Sequence, residues 1–484
     1  MGPDLLRADM EDTASRLTRC YNRLWEAERW PKVWKKGLIV KIFKKGDLRD
    51  CNNWRGVTLL PVISKIFCRM MLERIKVGVD KKLRKEQAEF RAKRSTTEQI
   101  FILRNILEQA NEWRAGLYVH FVDFEKAFDS VHKESLWNIM KSYGIPSKMV
   151  RVIADIYEGF ECAVIDGSET SDWFKIKSGV KQGCVMSGFL FLLALDWIMR
   201  KTTADKRRGI RWNFTTVLED LDFADDIALL SSRFNDLHEK TRRLTEEAAR
   251  VGLKLNARKC KTLRTEYASN RESIAVNGEE VEDVEEFPYL GATVDKEGGG
   301  SKDIKNRLQK ARSAFQRLGK VWAARGIGRR TKIRLFKTLV RPVLLYGCET
   351  WKITKADERR LNSFQCQCLR RILRIRWQQR ISNNRVVEMA DINNISCEIR
   401  RRRWNWLGHI LRKEDENDCL TALGWTPEGR RARGRPKTTW RRTVEKEREK
   451  AGWRSWNVAR AAARNREDWQ MSVTALCAYW RHEK

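Results

Sequence analysis

The segment LEDLDFADDIALL, residues 218–230, constrains this chain more than any other. Apolar residues flank a short acidic turn, so it reads as strand, turn, strand. Val217 to Asp222 enters, Ala224-Asp225-Asp226 turns, and Ile227 to Leu230 leaves. Side chains alternate along a strand, so adjacent aspartates at its end point in different directions. About a hundred residues earlier the β-prone run Leu117–Val122 stops on Asp123. Either feature alone is ordinary: an Asp-Asp turn is usually solvated, and Asp123-Phe124-Glu125-Lys126 also suits strand-to-helix punctuation. Together they place three carboxylates at strand ends that a sheet can bring side by side. Oxygen-only ligands of this kind suit Mg²⁺, which keeps waters and accepts phosphates as further ligands. Two such ions about 4 Å apart activate an attacking hydroxyl and stabilise a leaving pyrophosphate.

Charge narrows the partner. Lys and Arg number 98 against 64 Asp and Glu, a formal charge of +34. A net charge of this size self-repels, and a polyphosphate backbone is the partner that best neutralises it. The 20 tryptophans add aromatic faces on which bases can stack. Hydrophobic residues make up 42 % of the chain, enough for large cores. No apolar run approaches the roughly 18 residues of a spanning helix, so no membrane partner is expected. The N-terminus, MGPDLLRADMED, has no basic-then-apolar signal pattern. Twelve irregularly spaced cysteines suit a reduced chain. The expected location is intracellular, with nucleus and cytoplasm both open. Cys366, Cys368, Cys397, His409 and Cys419 fit no compact zinc pattern, and Cys368 falls on the apolar face of a helix.

The remaining elements follow from periodicity. Residues 1–30 read as polar helix, Leu38 to Phe43 as strand, and Val62 to Ile75 as helix. Ser95 or Thr96 caps a helix running to about Trp113. Lys133 to Tyr143 is helical, and Ser147 caps the next helix. Two strands, near Cys162–Ile165 and Trp173–Ile176, flank an Asp166-Gly167 turn. Asp236 to Val251 is an amphipathic helix, Leu253 to Leu255 a strand, and Asn277-Gly278 a hairpin turn. From about Ser301 the chain is helical and basic. The expected class is α+β.

Five blocks occur in order: FVDFEKAFDSV, SGVKQGCVMS, DFADDIALL, GLKLNARK and FPYLG. Upstream stand KKGD…NNWRGVTLL…SKIF and QAEFRAKRSTTEQI; downstream stands YGCETW…RRWNWLGHILR…RARGRPKTTW. This series, across roughly residues 25–445, resembles reverse transcriptases, and more narrowly the polymerase of non-LTR (LINE-type) retrotransposons of the RTE-like clade. The resemblance implies a right-hand polymerase with fingers, palm and thumb and a helical, basic C-terminal extension. It implies a lead-in at 1–30, fingers and palm at 31–300, a thumb at 301–355 and the extension at 356–484. The implied activity is RNA-directed DNA synthesis with Mg²⁺, or Mn²⁺, from dNTPs on an RNA template and a DNA primer. An alternative is a decayed or host-adopted copy that only binds nucleic acid.

The same resemblance carries roles onto residues. Asp123, Asp225 and Asp226 are the implied catalytic set, with the Phe124 carbonyl as a further metal ligand. Arg55, Lys65, Phe128, Gln182, Gly183 and Lys259 fall at nucleotide-binding positions. Phe128 is the implied steric gate against a 2′-hydroxyl, and Lys259 the implied proton donor to pyrophosphate. Tyr289, Leu290 and Gly291 match the primer grip. Two positions depart from the family pattern: Glu89 and Gly188 stand where Gly and Pro are usual. Family proteins carry an endonuclease domain before the polymerase. About 30 residues precede the fingers here, so nicking activity is expected from another chain.

In the tail, Leu361, Phe364, Cys368, Leu369 and Ile372 mark the apolar face of a helix over 356–376. Residues 401–484 hold eight of the tryptophans, which are expected to stack on unpaired bases. The run Arg430-Arg431-Ala432-Arg433-Gly434-Arg435-Pro436-Lys437 is too charged to pack and fits RNA phosphates or nuclear import.

Overall fold

In the computed structural model, which describes residues 3–482 apart from 45, 89–90, 92–93, 415–416, 430, 432 and 435–437, the run that stops on Asp123 is the middle strand of a five-stranded sheet. The order across this sheet is Glu282–Asp283, Lys261–Arg264, Tyr118–Val122, Asp226–Ser231, Asp220–Phe223. The central strand is antiparallel to both neighbours. Alternation serves two cores at once. Tyr118, Val122, Ile227 and Leu229 join the core that also contains helices Ser187–Thr202 and Phe234–Arg250. Val119, Phe121, Ala228 and Leu230 join the core of helix Thr96–Glu112. Each fully buried Leu, Ile or Phe contributes roughly 1.5–3 kcal/mol, so a one-residue slip would exchange the two sets and is strongly opposed.

A second sheet joins Trp54–Leu59, Lys36–Phe43, Glu161–Asp166 and Glu169–Thr170, with Phe174–Lys175 also on Glu161–Asp166. The strand Trp54–Leu59 has no clear alternation, because Arg55 and Gly56 interrupt it. It forms by antiparallel pairing, from Leu38 opposite Leu59 to Phe43 opposite Trp54. Other local expectations shift slightly. Helix Ser147–Tyr157 begins at Ser147 itself, with Pro146 in the cap position. Leu253–Leu255 supplies a single bridge, Leu255 to Phe124, in place of a strand. Asn277 and Gly278, at φ of 52° and 81°, close the expected hairpin.

From Ser301 the chain is helical. One apolar core runs from Ile304 to Ile399 and packs helices Ser301–Arg317, Lys355–Leu373 and Asn383–Met389 into one unit across position 355. Cys366 and Cys368 belong to this core, and Cys397 and Cys419 to that of helix Thr96–Glu112. Among the described residues no helix is long and apolar enough to cross a membrane.

The tail tryptophans correct an expectation. Trp404, Trp425, Trp440, Trp453 and Trp469 are buried, and Trp406 and Trp456 are half-buried against them. The Trp453 and Trp469 rings stack at 4.6 Å. Their faces are spent on one another and on the palm, because large aromatic surfaces gain more from a shared core than from solvent. Polar contacts fix the same interface. Glu108 accepts from the Trp440 amide at 2.8 Å, Lys413 meets Glu98 at 2.7 Å, and Arg431 meets Glu112 at 2.7 Å. Arg431, Arg433 and Gly434 are the described members of the 430–437 run.

Candidate active site

The pairing of Ile227 with Val122 decides the site. One step further out, Asp226 comes beside Asp123. Phe223 pairs with Asp226, which leaves Ala224 and Asp225 as a two-residue turn. Ala224 has φ of 53°, a left-handed conformation rare for a residue with a Cβ, imposed by pairing on both sides. Burial and the nearby Asp123 charge raise the Asp225 carboxyl, while Arg55 and Lys259 draw it down. The surrounding protein mass and the charges of Asp225 and Asp123 push Asp226 up to about 6. Asp226 itself stands exposed at the strand end.

The GLKLNARK loop hangs on the backbone of Asp123. The Asn256 amide donates to the Asp123 carbonyl at 2.8 Å, and the Glu125 amide donates to the Lys254 carbonyl at 2.8 Å. The Asp123 amide points at Cys260 Sγ, 3.4 Å away. These contacts deliver Lys259 Nζ to Asp123 Oδ2 at 3.0 Å. Phe124 is buried, and its backbone bridges to Leu255.

The positions implied for nucleotide binding surround these carboxylates in part. Arg55 is exposed on the strand Trp54–Leu59, and its charge reaches Asp225. Lys65 lies on the first turn of helix Val62–Val79. Phe128 is half-buried, its ring stacked on Phe191 at 4.6 Å. The Gln182 carbonyl accepts from the Thr58 amide at 2.6 Å, which ties its loop to the fingers strand. Gly183 is required there. Its φ is 110°, and a Cβ would lie 2.4 Å from the Thr58 oxygen. Gly188 is the second residue of helix Ser187–Thr202, inside the first turn where Pro would stiffen the chain without costing a hydrogen bond. Glu89 lies outside the described residues.

Tyr289, Leu290 and Gly291 sit where strands Glu286–Tyr289 and Ala292–Asp295 meet. Leu290 and Gly291 both have positive φ, 48° and 77°, as a two-residue hairpin turn demands. Tyr289 is buried and donates its hydroxyl to the Leu221 carbonyl at 3.0 Å. The hairpin is therefore bonded to the strand that leads into Asp225.

Some supporting residues had no role assigned to them in the sequence. Tyr346 donates to the Leu290 carbonyl at 2.8 Å, and Arg307 donates to the Gly291 carbonyl. The helical unit thus holds both carbonyls of the turn. Behind the Asp225-Asp226 turn, fully buried Asp220 and Asp222 share Arg84. Burial and Asp220 hold the Asp222 carboxyl well above the usual range. The alternating aspartates of LEDLDF were the available hint, but Arg84 lies more than a hundred residues away and nothing local links them.

Among the described residues no three His, Cys, Asp or Glu side chains are already gathered as a metal cage, and Lys259 sits on Asp123. The donor chemistry still fits a hard divalent cation. The ligands are all oxygens, and two of the carboxyls are raised by burial and by neighbouring negative charge, the second of which a cation would relieve.

Carboxylates at the ends of adjacent central strands, a glycine loop bonded to the strand Trp54–Leu59 and a hairpin bonded to the strand that leads into Asp225 together form the fold of a polymerase palm. Residues 42–294 match the family "Reverse transcriptase (RNA-dependent DNA polymerase)", and the chain belongs to that family. Within it, the relatives to which the chain is similar include polymerases of mobile elements. It is 26 % identical over 380 residues to the RNA-directed DNA polymerase from mobile element jockey of Drosophila melanogaster, covering 75 % of this chain and 40 % of that protein. It is also 26 % identical over 223 residues to the Pol polyprotein of the type-2 retrotransposable element R2DM of the same species, covering 43 % and 21 %. The chain thus spans well under half the length of these relatives. Among solved structures it is similar to telomerase from Candida tropicalis, at 13 % identity and a TM-score of 0.44, covering 85 % of this chain and 67 % of that one.

Proposed function

We propose that this chain is an RNA-directed DNA polymerase that adds deoxynucleotides to a primer 3′-end on an RNA template. The observation that carries this reading is the meeting of Asp123, Asp225 and Asp226 at neighbouring strand ends within a reverse transcriptase domain. Mg²⁺ or Mn²⁺ held by these carboxylates and the Phe124 carbonyl would supply activation of the 3′-hydroxyl and charge neutralisation at the triphosphate.

The protein's own groups do the rest. Arg55 and Lys259, whose charges already reach Asp225, offset phosphate charge as it shifts during transfer. Lys65 adds a cation at the start of the fingers helix. Lys259 hands its proton to the departing pyrophosphate and is placed for this by the loop bound to the Asp123 backbone. Phe128, backed by Phe191, closes the floor beneath the sugar and excludes a 2′-hydroxyl. Gln182 and Gly183 line the nucleotide and template side. Tyr289, Leu290 and Gly291 hold the primer end against the strand that leads to the carboxylates.

The test is extension of oligo(dT) on poly(rA) by purified protein with dTTP and a divalent cation. Template-dependent, metal-dependent extension is expected. Addition that ignores the template, or none at any metal concentration, overturns the reading.

A further inference from the structure

Among the described side chains, the tryptophan most open to solvent lies outside the motifs that carry catalysis. Trp377 is 83 % exposed, whereas the next most exposed large tryptophan face, Trp173, is 44 % exposed. Among the described residues Trp377 makes no ring contact. A lone exposed apolar residue is common on protein surfaces. This one is held in place on purpose-built backbone. Helix Lys355–Leu373 ends on Arg374 in a left-handed conformation, φ 58°, and Arg380 closes the following turn at φ 44°. Arg374 donates to the Ala323 carbonyl at 2.9 Å. Arg370 donates to the Ile381 carbonyl at 2.9 Å and to Asn383 Oδ1 at 2.7 Å. The Arg376 amide donates to Gln379 Oε1 at 2.8 Å. Both ends of the loop are pinned, and the indole is left at its outer edge. Left-handed residues with a Cβ persist only where surrounding contacts impose them, and they concentrate at functional loops.

The surroundings of this indole are basic throughout. Residues 359–387 contain eight arginines and no acidic residue. Among the described residues Arg312, Arg359, Arg374, Arg376 and Arg380 have no ion-pair partner. The same helix that leads to Trp377 buries Leu361, Phe364, Cys368, Leu369 and Ile372. Its other side borders an open groove of about 670 Å³ lined by Lys305, Arg312, Arg359, Arg360 and Gln367. Basic residues thus stand at both ends of this helix, Arg359 and Arg360 near its start and Arg370, Arg371 and Arg374 at its end, about 22 Å apart at 1.5 Å per residue.

We propose that Trp377, with Arg376 and Arg380, is a docking site for unpaired nucleic acid, and that the groove along Arg359 and Arg312 continues its path. The proposal rests on the reading of this chain as a nucleic-acid polymerase and adds a contact carried by the helical unit instead of the palm. Indole stacks on any base, and guanidinium groups hold the adjoining phosphates without sequence preference. A protein partner fits less well. Anchoring tryptophans at protein interfaces sit within a sealed apolar patch, whereas the neighbours of Trp377 are Arg376, Gln378, Gln379 and Arg380.

The experiment measures anisotropy of labelled ten-nucleotide oligo(U) RNA and oligo(dT) DNA on the full chain. EDTA is present, dNTPs are omitted, and excess unlabelled primer–template duplex occupies the cleft. Trp377→Ala should weaken single-strand binding about tenfold, within the range of one stacked base, with its salt dependence unchanged. Trp377→Phe should retain most of the affinity. Arg376→Gln with Arg380→Gln should flatten the slope of log affinity on log salt by about 0.7 for each phosphate no longer neutralised. A loss seen only with RNA, or only with DNA, supports the site and assigns the strand. Binding of both oligonucleotides by Trp377→Ala at the wild-type level overturns it. Because no dNTP is present, either result is independent of whether Asp123, Asp225 and Asp226 catalyse.

Discussion

Lys259 Nζ lies 3.0 Å from Asp123 Oδ2, and the loop that carries Lys259 is itself bonded through the Asn256 amide to the Asp123 carbonyl. Base and acid are thus fixed to one another by the main chain and not only by their charges. Both side chains are substantially open to solvent, so the ion pair alone contributes little stability. Its value is positional: the loop holds the Lys259 ammonium at the mouth of the carboxylate site.

Lys259→Gln should therefore leave folding and primer–template affinity nearly unchanged while lowering the single-turnover incorporation rate by about a hundredfold or more, the usual worth of a general acid. Rapid-quench incorporation of one dNTP measures this. A wild-type rate in the variant would reduce Lys259 to a counter-charge for Asp123.

Phe128 packs on Phe191 at 4.6 Å with the ring planes 20° apart, so its position is fixed by a partner that cannot yield easily. Phe128→Val should raise the efficiency of ribonucleotide relative to deoxynucleotide incorporation at least about tenfold, with much of the dNTP activity kept, since the missing ring is what fills the space of a 2′-hydroxyl. Competing incorporation of dTTP and UTP gives the ratio. An unchanged ratio would leave Phe128 with a packing role alone.

The palm helix and the tail share a buried carboxyl. Burial pushes Glu108 up to about 7, although the Trp440 amide bonds to it. In the unfolded chain this group ionises near its ordinary value of about 4.3. Between those values the folded state binds the extra proton, so stability should fall as pH rises from about 4.5 to 7 and then level off. The shift corresponds to an upper bound of about 4 kcal/mol. Glu108→Gln keeps an acceptor for the Trp440 amide and removes the titration. Its melting temperature should exceed that of wild type at pH 8 and match it near pH 4.5. Equal pH profiles for the two proteins would contradict the burial of this carboxyl at the palm–tail interface.

The same interface marks the limit of what the sequence reveals. The strand ending on Asp123 and the Asp225-Asp226 turn were legible because alternation, a turn and an acidic pair coincide over a few residues. Their adjacency follows once both lie in one sheet. The strand Trp54–Leu59 was not legible, since its stability comes from a partner strand and not from its own pattern. The tail tryptophans looked like a nucleic-acid surface because composition cannot tell an aromatic ring that faces solvent from one that faces a core. Trp453 on Trp469 is the second kind and Trp377 the first. A chain cut near Ile381 would remove Trp404 and Trp440 from the core of helix Thr96–Glu112. The long-range contacts of Tyr346 and Arg307 with the Leu290-Gly291 turn were likewise beyond local pattern, because each partner comes from a different element.

The most direct measurement compares wild type with Asp225→Asn in primer extension on an RNA template, with filter binding of the same primer–template on both proteins. Asparagine keeps the shape of the turn and removes one negative charge. Extension should fall by orders of magnitude while binding and the melting temperature stay close to those of wild type. Equal extension by the two proteins would contradict the assignment of catalysis to the carboxylates that Asp123 and the Asp225-Asp226 turn bring together.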